Sequence, residues 1–211
     1  MGNPLIRGAE RTARGLAQAQ LDNLTTAVKV IDYAHHEVHG GSSFTAQYTI
    51  TTAATDGHRS GIYIKTPAAG GKLVHLTASF AASTAATYSI CEAPTIAANT
   101  GTDTSIIYNR YRDNTTTSGC LNNAAVPTAN YITTLSQAEI VGDLTFATGT
   151  VLRTAPLTAG AGPKPAGGDS RDTEEYILKA GTAYVFLITN TAASANAHYI
   201  QLDWYEHTNK Q

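Results

Sequence analysis

The stretch FTAQYTITT, Phe44 to Thr52, alternates with a period of two. Phe44, Ala46, Tyr48 and Ile50 fall on one face, and Thr45, Gln47, Thr49 and Thr51 on the other. Successive strand side chains point to opposite faces, so this pattern predicts a half-buried β-strand. The same reading extends outward. SGIYIKT (60–66) follows the turn signal Asp56-Gly57, and KLVHLTASFAA (72–82) sets Val74, Leu76, Ala78 and Phe80 against Leu73, His75, Thr77 and Ser79. ATYSICEA (86–93), TSIIYNRY (104–111), EIVGDLTFA (139–147), TVLRT (150–154), EEYILKA (174–180), TAYVFLITN (182–190) and AHYIQLDWYEH (197–207) complete the candidates. Short strands separated by Gly, Pro, Asn, Asp and Thr clusters predict an all-β domain, a β-sandwich or jelly roll, over 31–211.

Residues 1–30 read differently. Leu16, Leu21, Leu24, Val28 and Ile31 lie on an approximate helical face, weakened by Gly15. A short helix of this composition draws most of its stability from packing. The expectation is an N-terminal arm, extended or helical, that binds a partner through Leu5, Ile6, Leu16, Leu21, Leu24 and Val28. Two irregular stretches, 112–134 and 155–175, are expected to be surface excursions, because loops of this length are uncommon inside compact domains.

Charged residues make up 14% of the 211-residue chain and the formal net charge is −2. An average soluble domain carries roughly 25%. With no basic field, binding to DNA or RNA by counterion release is not expected. No apolar run reaches the length of a membrane-spanning helix. The opening MGNPLIRGAERTARG lacks the apolar core of a secretory signal, and Ile6 departs from the myristoylation pattern. Synthesis in a reducing cytoplasm is therefore expected. Cys91 and Cys120 are expected to be reduced, buried thiols, with a bridge left to geometry. Tyrosine outnumbers phenylalanine 11 to 4, which suits rings with one edge at water or at a partner.

The segment IDYAHHEVHGGSSF (31–44) holds three histidines and a glutamate within five residues. The zinc-protease motif spaces its histidines four apart on a helix, whereas His36 and His39 are three apart. Read as a strand, His35, Glu37 and His39 share a face and supply three metal ligands if a fourth arrives. The reading preferred is a polar first strand with no metal. Neither a G-x-S-x-G elbow nor a phosphate-binding loop is present, and no catalytic residue or cofactor is assigned.

Several segments together carry a resemblance. IDYAHHEVHGGSSF resembles the opening of a group of tailed-bacteriophage structural proteins, in which HHEIH-x-G-x-x-F leads into the first strand. TSIIYNRYRDN is similar to that group's x-N-R-N-R-x-S, with Tyr111 for the second asparagine and Asn114 for the serine. EEYILKAGTAYVFLITNTA and DWYEH resemble its last strands. The resemblance spans about 31–207, with the middle loops unmatched. It implies a non-enzymatic decoration (cement) protein on the capsid exterior, made in the host cytoplasm. Its implied partners are the major capsid protein and copies of itself, as dimer or trimer. The alternatives are another virion part (head fibre base, tail accessory or adhesin) or a carbohydrate-binding sandwich using Tyr108, Tyr111, Trp204 and Tyr205 as a stacking platform.

Overall fold

The computed structural model describes residues 19–21, 28–30, 33–53, 56–96, 102–103, 107–120, 132–135, 147–158, 164–165 and 175–208. One sheet contains β3 (Ser43–Ala53), β5 (Leu73–Ala82), β8 (Ile107–Asn109), β11 (Lys164–Pro165), β12 (Tyr176–Leu178) and β14 (Asn196–His207). The other contains β4 (Arg59–Lys65), β6 (Ala86–Glu92), β7 (Thr102–Asp103), β9 (Ile132–Leu135), β10 (Thr150–Leu157) and β13 (Ala183–Asn190). Within the first sheet the central order is β3–β14–β5–β12, and within the second it is β4–β13–β6–β10, with every pairing antiparallel. The chain changes sheets at nearly every step of this eight-strand core and stays in one sheet only from β6 to β10. That is jelly-roll connectivity.

Alternation decides what is buried. In β5, Val74, Leu76, Ala78, Phe80 and Ala82 point inward; in β14, Ile200, Leu202 and Trp204 join them. Ile62, Ile64, Tyr88, Ile90, Tyr184, Phe186 and Ile188 face them from the second sheet. Phe80 stacks on Tyr88 at 4.6 Å and Phe44 lies 5.8 Å from Trp204. Aromatic pairs of this kind contribute about 0.5–1.5 kcal/mol beyond area burial. The second sheet is buried on its other face as well, through Tyr63, Cys91, Val185 and Leu187. This explains why β4 and β13 read as continuous apolar runs rather than alternating ones.

The histidine-rich segment is not a strand. Tyr33–His39 forms a seven-residue helix, α1. Its C-terminus is closed by Ser42 N–H donating to Glu37 O (3.0 Å) and Gly41 N–H donating to Val38 O (3.0 Å), with Gly41 at φ +73°. That is the Schellman arrangement, in which glycine takes the left-handed position without a Cβ penalty. Tertiary packing overrides the strand reading, since Glu37 is buried while His35, His36 and His39 face outward.

Of the two readings of the arm, extended or helical, its described residues take the extended one. Ala19–Leu21 (β1) and Val28–Val30 (β2) pair as an antiparallel two-stranded sheet with Leu21 directly opposite Val28. The β-branched Val28 and Val30 favour strand, and Asp22-Asn23 are turn formers rather than helix-interior residues. Leu5, Ile6, Leu16 and Leu24 lie outside the described residues. No described helix is long and apolar enough to cross a membrane.

Candidate functional site

Segments distant in sequence meet at one end of the sandwich. Asn109, ending β8, donates its side-chain amide to the carbonyl of Gly41 (2.8 Å) and to that of Thr116 (3.1 Å). Its Oδ1 accepts from Tyr111 N–H at 2.9 Å, an Asx turn. Asn114 repeats the device with Thr116 N–H at 2.7 Å. The Asn114 side chain also occupies the space where a Cβ on Gly41 would stand. Arg110 N–H donates to Ser43 O at 2.8 Å. The loop 109–116 is therefore clamped to the α1–β3 turn by hydrogen bonds from Asn109 and Arg110 at its start and by the Asn114 side chain packed against Gly41.

Glu206 closes the same end from β14. Its backbone N–H donates to Ser42 O at 2.9 Å. Its buried carboxylate accepts from Trp204 Nε1 (3.1 Å), Gly119 N–H (2.9 Å) and the Ser118 hydroxyl. Cys120 N–H in turn donates to Ser118 Oγ at 3.0 Å. This part of the expected excursion is thus not a surface feature, because Ser118 and Cys120 are both buried. Ile132–Leu135, which overlaps the end of the same stretch, pairs with β4 and β7 and corrects that reading further.

What this scaffold displays is a ring and guanidinium cluster. Tyr108 and Tyr111 are 45% and 42% exposed, Arg110 and Arg112 are exposed, and the Arg112 guanidinium lies 4.8 Å from the centre of the Tyr108 ring. That distance is a cation–π contact. Tyr108 continues into the outer face of the first sheet along the cross-strand row Thr77–Asp203–Thr45–Tyr108. Beside this row the side chains form a chain of hydrogen bonds. Tyr199 OH donates to Gln201 Oε1 (2.6 Å) and Gln201 Nε2 to Asp203 Oδ2 (2.7 Å), with Gln47, Thr49 and Thr51 exposed next to them. Burial, with Asp203 adding to it, pushes the Tyr199 hydroxyl up from its ordinary value, so it stays a neutral donor. The face is mostly uncharged and hydrogen-bonding.

The four-ring platform is not assembled. Trp204 is fully buried and Tyr205 nearly so, which leaves Tyr108 and Tyr111 as the exposed pair. The strand-based trio His35, Glu37 and His39 does not form either, because the helix buries Glu37 away from both imidazoles. Instead His35 and His39, one helical turn apart, bring their Nε2 atoms to 3.0 Å. Among the described residues no three His, Cys, Asp or Glu side chains converge on one point. Cys91 and Cys120 are both free and buried. Burial pushes the Cys91 thiol up to about 11 and Cys120 well above its ordinary value, and the neighbouring Glu206 adds to the effect at Cys120.

One Ser–His contact exists inside the sandwich. Ser60 Oγ on β4 lies 2.7 Å from His198 Nδ1 on β14, joining the two sheets. Both residues are enclosed, at 0% and 2% exposure, so in this conformation no reacting carbonyl reaches the hydroxyl. The contact is a cross-link between the sheets. Burial, reinforced by His58, lowers the His198 imidazole to about 4, so it is neutral near physiological pH.

No family model matches the chain, and no curated protein matches it. Two solved structures, one of the infectious bursal disease virus Gx strain and one of that virus's VP2 subviral particle, are 12% and 14% identical to it. They cover 91% and 92% of this chain, which spans 45% and 47% of theirs, with TM-scores of 0.13 and 0.12. A likeness of that size carries no argument about fold or function.

Proposed function

We propose that this is a virion structural protein of the decoration (cement) type, which binds the major capsid protein lattice on the head exterior and acts without catalysis. The observation that carries the reading is the union of the phage-like segments in one hydrogen-bonded feature. IDYAHHEVHGGSSF, TSIIYNRYRDN and DWYEH are far apart in the chain, yet they supply Gly41, Asn109, Asn114 and Glu206 to one hydrogen-bonded end. That end presents Tyr108, Arg110, Tyr111 and Arg112 outward. Tyrosine and arginine are the residues most enriched at binding hot spots, and a preorganised loop loses little entropy on docking.

The mostly uncharged outer face of the first sheet supports the same reading. Interface cores are depleted of charge, and hydrogen-bonding side chains satisfy one another across such a surface. A standard interface buries about 800 Å² on each partner, within reach of this face together with the Tyr108–Arg112 loop. Self-association as dimer or trimer on the lattice adds avidity, and residues 1–30 supply a further partner-binding segment through Leu5, Ile6, Leu16, Leu21, Leu24 and Val28. The test is a binding experiment with capsids of the encoding virus that lack this protein. Purified protein is expected to co-sediment with them at saturable stoichiometry. Failure to bind, with the protein folded, overturns the assignment.

A further inference from the structure

A second cluster lies on the outer face of the first sheet, at the junction of β5, β12 and β14. His75 on β5 stands directly opposite Tyr205 on β14, and their rings stack at 4.7 Å. His75 Nδ1 lies 2.9 Å from Glu175 Oε2, and the Tyr205 hydroxyl donates to the same oxygen at 2.9 Å. The Tyr205 hydroxyl also lies 3.1 Å from His75 Nδ1, and the arrangement in which ring and hydroxyl both donate to an ionised Glu175 carboxylate puts a proton on His75 Nδ1. His207, the last residue of β14, has its Nδ1 2.9 Å from the carbonyl of Thr208, which again requires the proton on Nδ1. In their neutral forms both rings thus carry the proton on Nδ1, with Nε2 as the acceptor nitrogen. Those two Nε2 atoms face each other at 2.7 Å. Two lone pairs do not rest at that distance without a proton or a metal cation between them.

The geometry points to a transition-metal site of the zinc class, with His75 Nε2 and His207 Nε2 as its two protein ligands and solvent completing the shell. Imidazole nitrogen suits Zn²⁺, Ni²⁺ and Cu²⁺, and a histidine ligand that gives its other N–H to a carboxylate or carbonyl is the usual supporting arrangement. Both halves of that arrangement are already built, by Glu175 and by Thr208 O. Metal–nitrogen bonds of about 2.0–2.1 Å at a tetrahedral angle place the nitrogens roughly 3.3 Å apart. The pair must open by about 0.6 Å on that arithmetic, and His207, partly exposed at a strand end, is positioned to move. The His35–His39 pair differs, because among the described residues neither Nδ1 is tied to an acceptor, and an ordinary N–H···N bond satisfies it.

The test uses the full chain with His35→Ala and His39→Ala, so that zinc binding reports on the strand pair alone. Calorimetric titration with Zn²⁺ near neutral pH is expected to give one equivalent bound. Adding His207→Gln is expected to abolish that binding, and Glu175→Gln to weaken it by about tenfold. Long-range ¹H–¹⁵N NMR of the imidazoles is expected to shift both Nε2 resonances on zinc addition. Retained folding of the variants is read from Trp204 fluorescence. No uptake of zinc at millimolar concentration, or uptake unchanged in a folded His207→Gln protein, overturns the proposal and leaves the pair sharing a proton only.

Discussion

The side-chain amide of Asn109 is hydrogen-bonded to the carbonyl of Gly41 at 2.8 Å, locking the loop after β8 onto the turn that ends α1. Gly41 sits at φ +73° with the Asn114 side chain directly against it. Gly41→Ala therefore meets both a left-handed backbone penalty and overpacking. The expected cost is about 2–4 kcal/mol, measured by urea unfolding. Trp204, the single tryptophan and fully buried, supplies the fluorescence signal.

Tyr108 and Arg112 stack on each other at the surface, away from the core. Tyr108→Ala and Arg112→Ala are expected to leave the unfolding midpoint nearly unchanged, since surface substitutions fall within about ±0.5 kcal/mol. Binding to capsids is expected to fall by about tenfold or more for each, as for truncated hot-spot residues. Sedimentation assays over a range of protein concentration read the loss. Equal binding by both variants removes the loop from the proposed interface.

His198 sets a pH dependence of stability. Its folded value, about 4, lies below the ordinary 6.5, so the unfolded chain takes up the proton first as pH falls. The stabilisation is complete above about pH 6.5 and is withdrawn as the pH drops toward 4, amounting to about 3 kcal/mol. His58, lowered in the same direction by burial, adds to it. Thermal midpoints between pH 7.5 and 4 are expected to fall steeply, and His198→Gln is expected to flatten that slope. Ser60→Ala removes the Nδ1 partner and is expected to cost about 1–3 kcal/mol at neutral pH.

The cysteines give a chemical readout of the closed end. Cys120 is sealed behind Ser118 and Gly119, which Glu206 holds, and Cys91 is buried in the second sheet. Both thiols are expected to resist aromatic disulfide reagents in the native protein. In Glu206→Ala, the loop from Ser118 to Cys120 loses its acceptor, and one thiol is expected to react at least tenfold faster while Cys91 remains protected. Mass spectrometry of the labelled protein identifies which one.

The sandwich was legible because its long strands obey a period of two, as β5 and β14 do, and one buried face tolerates no slip of register. Short elements were not legible. α1 has seven residues, and its helical state depends on burying Glu37 and on the Gly40-Gly41 cap, which looks the same in sequence as a break before a strand. β11, two residues in a Pro- and Gly-rich stretch, exists through pairing with Phe80 and Ser79 of β5. The sequence marked Tyr108 and Tyr111 as candidate contacts but grouped them with Trp204 and Tyr205, because the inward and outward faces of β14 could not be told apart near its end, where Trp204, Tyr205 and Glu206 are all buried. The roles of Asn109 and Asn114 had one available signal: asparagine two residues before a backbone N–H, the Asx-turn spacing.

The most direct measurement is cryo-electron microscopy of the virus particles to which the proposed function assigns the chain. The account predicts jelly-roll density on the outside of the head, with the Tyr108–Arg112 loop and the Thr45–Asp203 face turned toward the lattice. Particles without this density, or with the sandwich seated so that the loop points to solvent and touches nothing, contradict it.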